Sequence, residues 1–303
     1  MRGQNPVTRP LIDLATGTRA VMRRKGTPPT FVVAGTRRGG STSLYRMTAS
    51  HPGVAPCRVK KGSHYFDVNH HRGWRWFLGC FPALSDGRIT GEASPYYMFH
   101  PLAAMRMARE VPDLRILVAL RNPIDRAWSH YNYSLNNGVE TLTFEEAVSQ
   151  EAERLDGEAE RLVSDPRYPA PHLRHHSYLA RGRYAEQLER LQTWISPERV
   201  HVLQTESLAA HPQREMDRVW RFLGLPSYTL TEEIRAKQQK YAPMPPAMRA
   251  ELTEYFRPFN QRLYSMPGVS FQWSEQQSAQ SLDLVGPARP ALDTVPLDGT
   301  GVT

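Results

Sequence analysis

A glycine-rich basic turn is the part of this sequence whose residue types and spacing could bind an anion. An apolar run from Phe31 to Gly35 leads into Thr36-Arg37-Arg38-Gly39-Gly40, and Ser41-Thr42-Ser43 follows. Glycine lets the backbone approach a ligand closely, and free N–H groups at the start of a helix attract a phosphate. The segment therefore predicts a strand, a phosphate-binding turn and a helix in succession.

The position of the positive charge in this turn limits the kinds of phosphate that the turn could bind. Gly35 and Gly40 have the spacing of the Walker A motif, but Ser41 stands where that motif has its lysine. The charge comes instead from Arg37 and Arg38, within the turn. A loop without the Walker lysine is poorly suited to a β- or γ-phosphate with Mg²⁺. The turn favours a single 5′-phosphate that carries a transferable group.

A second strand-to-helix junction follows about 85 residues later in the chain. The apolar run Arg115–Leu120 leads directly into Arg121, and Asn122-Pro123 is a favourable start for a helix. Ser129 then falls about two turns into that helix. The sequence thus predicts an arginine at the end of a strand and a serine on the helix that follows it.

Together, these two segments resemble the donor-binding motifs of sulfotransferases that use 3′-phosphoadenosine 5′-phosphosulfate (PAPS), in particular the heparan-type and bacterial carbohydrate branch. The resemblance covers roughly residues 29–265. It implies that the first turn binds the 5′-phosphosulfate and that Arg121 and Ser129 bind the 3′-phosphate. Taken alone, Arg121 would equally fit an ion pair with Asp125, and Ser129 would equally fit a solvent-facing position.

The same resemblance implies further contacts to the donor. It implies that Arg38 stabilises the leaving group, at a position where relatives usually have lysine. A basic loop that closes over the nucleotide in relatives corresponds loosely to Lys237 and Lys240. The first-turn residues implied to contact the donor are Arg37, Arg38, Gly39, Gly40, Ser41, Thr42 and Ser43.

The general base is the point at which this sequence departs from the family. Relatives often have a glutamate two residues before a histidine, in a K-E-x-H-[FY]-F-D segment, and this chain has Gly62 in that place. His64 in the same segment has a pKa of about 6.5 when unperturbed, so we predict that it takes the proton of the acceptor. A structural histidine under the loop is the alternative. Glu92 is the second candidate for the base.

Composition limits the classes of partner. The chain has 303 residues and a formal net charge of +8, most of it from arginine, yet no dense basic block or motif typical of nucleic-acid binding. It lacks an apolar run long enough for a membrane span and the apolar region of a signal peptide. Its two cysteines, Cys57 and Cys80, do not make a disulfide framework. We expect a cytoplasmic protein; its oligomeric state is not predictable from these features.

Strands alternate with helices along the chain, which predicts a P-loop-like three-layer α/β fold with a mainly parallel central sheet flanked by helices. We expect residues 1–28 to form an N-terminal arm, residues 29–273 the catalytic domain and residues 274–303 a disordered tail. Within the domain, Arg58 to Phe66 is expected to contain a short strand, and Thr143 to Leu162 one charged, exposed helix.

The sequence as a whole predicts an enzyme that transfers a sulfuryl group from PAPS to a hydroxyl of a carbohydrate, glycolipid or small natural product. We expect no metal requirement, because a sulfuryl group carries less charge than a phosphoryl group. One alternative is a P-loop nucleotide kinase, against which Ser41 argues. The other is a non-catalytic nucleotide-binding module, which the glycine at position 62 keeps open.

Overall fold

A parallel β-sheet forms the centre of the protein. The computed structural model describes residues 26–59, 61–231 and 241–273. Within these ranges the sheet has five strands in the order β2-β3-β1-β4-β5, and every neighbouring pair is parallel. The strands are β1 Phe31–Gly35, β2 Val54–Pro56, β3 Ile89–Ala93, β4 Arg115–Leu120 and β5 Val200–Gln204.

Helices flank the sheet and connect its strands. In chain order, they are α1 Ser41–Ala49, α2 Trp74–Gly79, α3 Ala103–Glu110, α4 Pro123–Asn136, α5 Phe144–Ser149, α6 Glu151–Leu155, α7 Glu158–Ser164, α8 Pro171–His175, α9 Tyr184–Gln192, α10 Thr205–Ala210, α11 Pro212–Leu223 and α12 Pro246–Tyr264. Short 3₁₀ turns occur at His70–Arg72, Ala180–Gly182 and Pro197–Arg199. Among the helices described here, none is both long and apolar enough to cross a bilayer.

The two central strands determine where the two predicted turns lie. Strand β1 is buried at every position, and β4 at every position after Arg115. Continuous burial is typical of parallel strands that are covered on both faces. Because β1 and β4 pair in parallel, with Phe31 opposite Arg115, their carboxyl ends meet at one edge of the sheet. The turns after Gly35 and Leu120 are therefore neighbours, where ligands of open α/β sheets bind.

The predicted fold class is confirmed, but two local predictions are wrong. In the described part of 58–66 there is no strand, because the chain leaves the sheet after Pro56. The single helix predicted over 143–162 is instead three short helices, α5, α6 and α7. Gly157, with a φ of +67°, separates α6 from α7. Glu151 and Glu158 are buried, so this segment is not a solvated charged face.

Several predicted features lie outside the described residues. They are the part of the N-terminal arm before residue 26, the tail from residue 274, and the two loop lysines, Lys237 and Lys240. Their predicted roles stay predictions.

Candidate functional site

The turn between β1 and α1 presents backbone groups at its open edge. Gly40 stands at the N-cap of α1 with a φ of +87°, and no side chain caps the helix. The carbonyl of Gly39 accepts a hydrogen bond from Thr205 Oγ1 at 2.6 Å, which fixes the turn against α10. The first N–H groups of a helix have no intrahelical acceptor. The turn therefore offers them to an anion, as its sequence predicts.

Arg38 joins this turn to the second one. Its Nε donates to Ser129 Oγ at 3.0 Å, and its guanidinium lies 5.0 Å from the ring centre of Tyr133. Ser129 is 1% exposed, so the alternative of a solvent-facing serine is excluded. Two residues 91 positions apart in the chain thus meet in one site.

Two further cations line the first turn. Arg37 Nη1 donates to the carbonyl of Arg174 at 2.8 Å, and burial lowers the pKa of Arg37 to about 10. Lys61 Nζ donates to Ser41 Oγ at 3.2 Å. Burial, and then the charge of Arg38, lower the pKa of Lys61 to about 8. Both cations are partly buried, and neither pairs with a carboxylate among the described residues, an arrangement that favours an anionic ligand.

The turn between β4 and α4 is closed by its own side chains. The Asn122 side chain accepts from the backbone N–H of Ile124 at 3.0 Å, and the Asn122 N–H donates to Glu206 at 2.9 Å. Arg121 is half-buried at the end of β4. Asp125 pairs with Arg249 at 2.5 Å, which excludes the ion pair between Asp125 and Arg121 as the alternative.

His64 lies in a turn beside β3, oriented by a buried carboxylate. Its Nδ1 is 2.9 Å from Asp67 Oδ2, and its backbone N–H donates to Ser94 Oγ at 3.1 Å. The His64 side chain is 40% exposed, whereas that of Asp67 is fully buried. Although burial opposes both charges, the pair raises the pKa of His64 and lowers the pKa of Asp67. This arrangement leaves Nε2 as the proton-accepting atom of the neutral ring.

Glu92 is placed differently from His64. It is fully buried, and its carboxylate accepts hydrogen bonds from the Ser63 N–H and from Tyr97 Oη, the latter at 2.6 Å. Burial raises the pKa of Glu92. These contacts favour a structural role, in which Glu92 supports the turn that carries His64.

The glycine at position 62 is required by the packing of this turn. A Cβ placed there would lie 2.3 Å from the carbonyl oxygen of Ala93 and 2.5 Å from Ser94 Oγ. A glutamate would therefore need a shift of the backbone against β3. In this chain, the position that carries the glutamate in the resembling family has no room for a side chain.

The comparisons with known proteins agree with this geometry. A family model described as "Sulfotransferase domain" matches residues 28–256. The chain belongs to this sulfotransferase family.

Curated relatives and a solved structure extend this match beyond the family model. The chain is 25% identical over 269 residues to human heparan sulfate glucosamine 3-O-sulfotransferase 6, covering 81% of this chain and 73% of that protein. It is 26% identical over 283 residues to mouse heparan sulfate glucosamine 3-O-sulfotransferase 3A1, covering 85% and 68%. The crystal structure of a sulfotransferase from Alicyclobacillus acidocaldarius superposes with a TM-score of 0.62 at 28% identity, covering 81% of this chain and 98% of that one. The protein is thus a sulfotransferase, a family that generally takes its sulfuryl group from PAPS.

The sulfotransferase fold brings the predicted residues of both turns and of the 61–67 segment to one side of the sheet. Sequence reasoning missed the contact between Asp67 and His64, although Asp67 stands in the quoted segment. It also missed the anchoring of Gly39 by Thr205, which no local pattern announces. Helix α8 carries Arg174, whose carbonyl accepts from Arg37. In the described ranges no cluster of three potential metal ligands occurs.

Proposed function

We propose that this enzyme transfers the sulfuryl group of PAPS to a carbohydrate hydroxyl, with the two turns binding the two phosphorylated ends of the donor. The observation that carries the proposal is the 3.0 Å contact between Arg38 Nε and Ser129 Oγ. It brings the two motifs of the resemblance within reach of one nucleotide. Backbone N–H groups of α1 suit the 5′-phosphosulfate, and Arg121 with Ser129 suits the 3′-phosphate.

We infer that Arg38 stabilises the departing phosphate oxygen. As the acceptor oxygen bonds to sulfur, the bond between sulfur and the bridging oxygen breaks, and negative charge grows on the 5′-phosphate. A cation held at that point in the transition state lowers the barrier more than it strengthens substrate binding. With the donor bound, Arg38 would leave Ser129 to the 3′-phosphate and turn to the bridging oxygen. Lys61, on Ser41, is a second cation at the same turn.

We infer that His64 takes the proton of the acceptor hydroxyl. Asp67 accepts from Nδ1–H, which leaves the lone pair of Nε2 facing the half-exposed side of the ring. This support replaces the missing glutamate of the resembling family, whose place is closed by the close packing of Gly62. Glu92 fits the supporting role better, because both of its oxygens already accept hydrogen bonds.

The carbohydrate class of acceptor is supported by the names of two relatives that act on heparan sulfate glucosamine. The decisive experiment incubates the full chain with PAPS and three acceptor sets: glucosamine-containing oligosaccharides, glycolipids and simple phenols. Product masses are then measured. A sulfated oligosaccharide is the expected result. Sulfated phenol alone would overturn the carbohydrate assignment but leave sulfotransfer intact, whereas a lack of product from every set would contradict the donor assignment as well.

Residence in the cytoplasm remains a prediction, to be checked by fractionation.

The pH profile of kcat tests His64 as the base. A base acts when neutral, so kcat falls as the pH drops through the pKa of His64, which the Asp67 carboxylate raises. Asp67→Asn removes the charge that raises this pKa, so the acid limb moves to lower pH. His64→Asn tolerates the positive φ of 53° at this position and should lower kcat about 10²-fold or more. An unchanged acid limb in both variants would sink the assignment.

A further inference from the structure

A group of buried nitrogen atoms behind the first turn has no hydrogen-bond partner among the described residues. They are Arg126 Nε and Nη1, Arg181 Nη1 and both ring nitrogens of His130, of which one donates and the other accepts when the ring is neutral. Arg126 and His130 are fully buried, and Arg181 is 2% exposed. Buried donors in native proteins are nearly always satisfied, so a missing acceptor is the simplest reading of this group.

Three elements bring these side chains together. Arg126 and His130 are one helical turn apart on α4, so they share a face. The turn Ala180–Gly182, which carries Arg181, packs against α4. Tyr178 lies between them: its carbonyl accepts from Arg126 Nη2, and its ring centre is 5.0 Å from that of His130.

Arg37 connects this group to the donor-binding turn. Arg37 Nη1 and Arg181 Nη2 donate to the same carbonyl, that of Arg174, at 2.8 and 3.0 Å. Arg181 also stacks on Tyr96 and Phe99, with 4.6 Å to each ring centre. Burial, and then the positive charges nearby, lower the pKa of the His130 imidazole and so favour the neutral ring. The cluster therefore consists of three arginines and one neutral histidine.

The nearby carboxylates are already committed elsewhere. Glu151, the carboxylate that acts on Arg126, accepts from the N–H groups of Leu179 and Ala180, each at 2.7 Å. Asp67, the carboxylate that acts on Arg181, is 2.9 Å from His64 Nδ1. In the described part of the chain, Arg126 and Arg181 make no ion pair with a carboxylate within 4 Å. Uncompensated buried cations are costly, and the guanidinium N–H groups, which only donate, suit an anion better than they suit water, which must also donate.

We propose that Arg126, His130 and Arg181 bind a small inorganic anion of halide size beneath Arg37, apart from the donor nucleotide. The size follows from burial: the residues of the donor-binding turn, Arg37 and Arg38, are half-buried, whereas these three are closed off from solvent. A phosphate attached to a nucleoside, or an acidic group of a glycan, would need an opening to the surface. The bound anion would offset one of the three positive charges and hold Arg37 in place under the first turn.

Bromide provides the direct test, because its anomalous scattering distinguishes it from water. Crystals of the full chain are grown in sodium bromide, with and without adenosine 3′,5′-bisphosphate. An anomalous peak in contact with Arg126 and Arg181 in both crystals supports the proposal. Water alone at this place overturns it. A peak that disappears when the nucleotide binds overturns it too, because the cluster would then be part of the donor site.

Thermal unfolding tests whether the anion matters in solution. At constant ionic strength, replacing gluconate by bromide should raise Tm by about 2–4 °C at about ten times the dissociation constant. Arg181→Met should lose this halide-specific shift, and Arg75→Met, at an exposed arginine of α2, should keep it. If Arg181→Met fails to fold, the halide-specific rise in the Tm of the wild type and the bromide peak together test the proposal. A peak without any halide-specific shift would mean an adventitious ion only and would overturn the proposal.

Discussion

The two strand-to-helix turns lie side by side at one edge of the sheet, yet they present different groups. The turn after β1 ends in Gly40, with a positive φ and no capping side chain, so the start of α1 is open. The turn after β4 ends in Asn122, whose side chain caps α4 and whose N–H is taken by Glu206. The first turn therefore offers backbone donors, whereas in the second the N–H groups of Asn122 and Ile124 are taken, and the groups left for a ligand are mainly the side chains of Arg121 and Ser129.

This difference suggests a division of labour between the phosphates of the donor. A ring of backbone N–H groups is fixed in place and suits a group whose charge changes during the reaction. Long side chains suit a phosphate that serves as a handle and does not react. The first turn should then influence turnover, and the second should influence donor affinity. Each of the following substitutions tests this separation.

Arg38→Ala should have the largest effect. Removing a cation from the departing oxygen should lower kcat about 10²–10³-fold, with a smaller change in the KM for PAPS. The kcat of Arg38→Lys should lie between those of the wild type and of Arg38→Ala, because lysine keeps the charge but loses the fork geometry of the guanidinium. Arg46→Ala, at an exposed arginine of α1, serves as the control and should leave kcat unchanged. If Arg38→Ala raised only the KM for PAPS, the first turn would contribute to donor affinity alone, as the second turn is expected to do.

Arg121→Ala should act mainly on affinity. A lost charge-assisted contact to the 3′-phosphate should weaken binding of adenosine 3′,5′-bisphosphate about 10–100-fold, with little change in kcat. Adenosine 5′-monophosphate lacks the 3′-phosphate, so its affinity should stay within about twofold. Isothermal titration with both nucleotides measures this contrast. An equal loss for the two nucleotides would place Arg121 away from the 3′-phosphate.

Gly40→Ala should damage the first turn through the backbone. Its φ of +87° costs a side chain about 1–2 kcal/mol, and the added Cβ would lie 2.8 Å from Thr205 Cγ2. We expect a lower Tm and weaker binding of both nucleotides. Gly138→Ala is the matched control, with a φ of +67° and open space around it. It should lose stability without a change in nucleotide affinity. Equal affinity losses in the two variants would contradict an anion site at Gly40.

The sequence suffices for these turns because their determinants are local. The apolar runs before Arg37 and Arg121, the glycine pair, and the Asn-Pro start of α4 each act within a few residues. The approach of Arg38 to Ser129 then follows from the pairing of β1 with β4, whereas the α/β pattern predicts only a mainly parallel sheet and not which strands are neighbours.

The features that sequence reasoning missed depend on partners far along the chain. Glu151 was interpreted as part of an exposed helix, but its carboxylate accepts from Leu179 and Ala180, 28 and 29 positions away. From the sequence alone, Gly62 indicates the loss of the glutamate base of the family. Only the packing against β3 explains the need for a glycine. Such contacts leave no local periodicity. The sequence pattern therefore places Glu151 on the exposed surface and shows Gly62 only as the replacement of a glutamate.

Asn122→Ala should have the smallest effect on function and gives the sharpest control on the comparison. The cap bond from Ile124 N–H to the Asn122 side chain is worth about 1 kcal/mol, so Tm should fall by a few degrees. Donor affinity should stay within about twofold, because this turn presents Arg121 and Ser129 and not its backbone. Asn122→Ser keeps a capping oxygen and should recover most of the Tm. If Asn122→Ala weakened the bisphosphate as much as Arg121→Ala does, the start of α4 would itself be a phosphate site. The two turns would then bind by the same means.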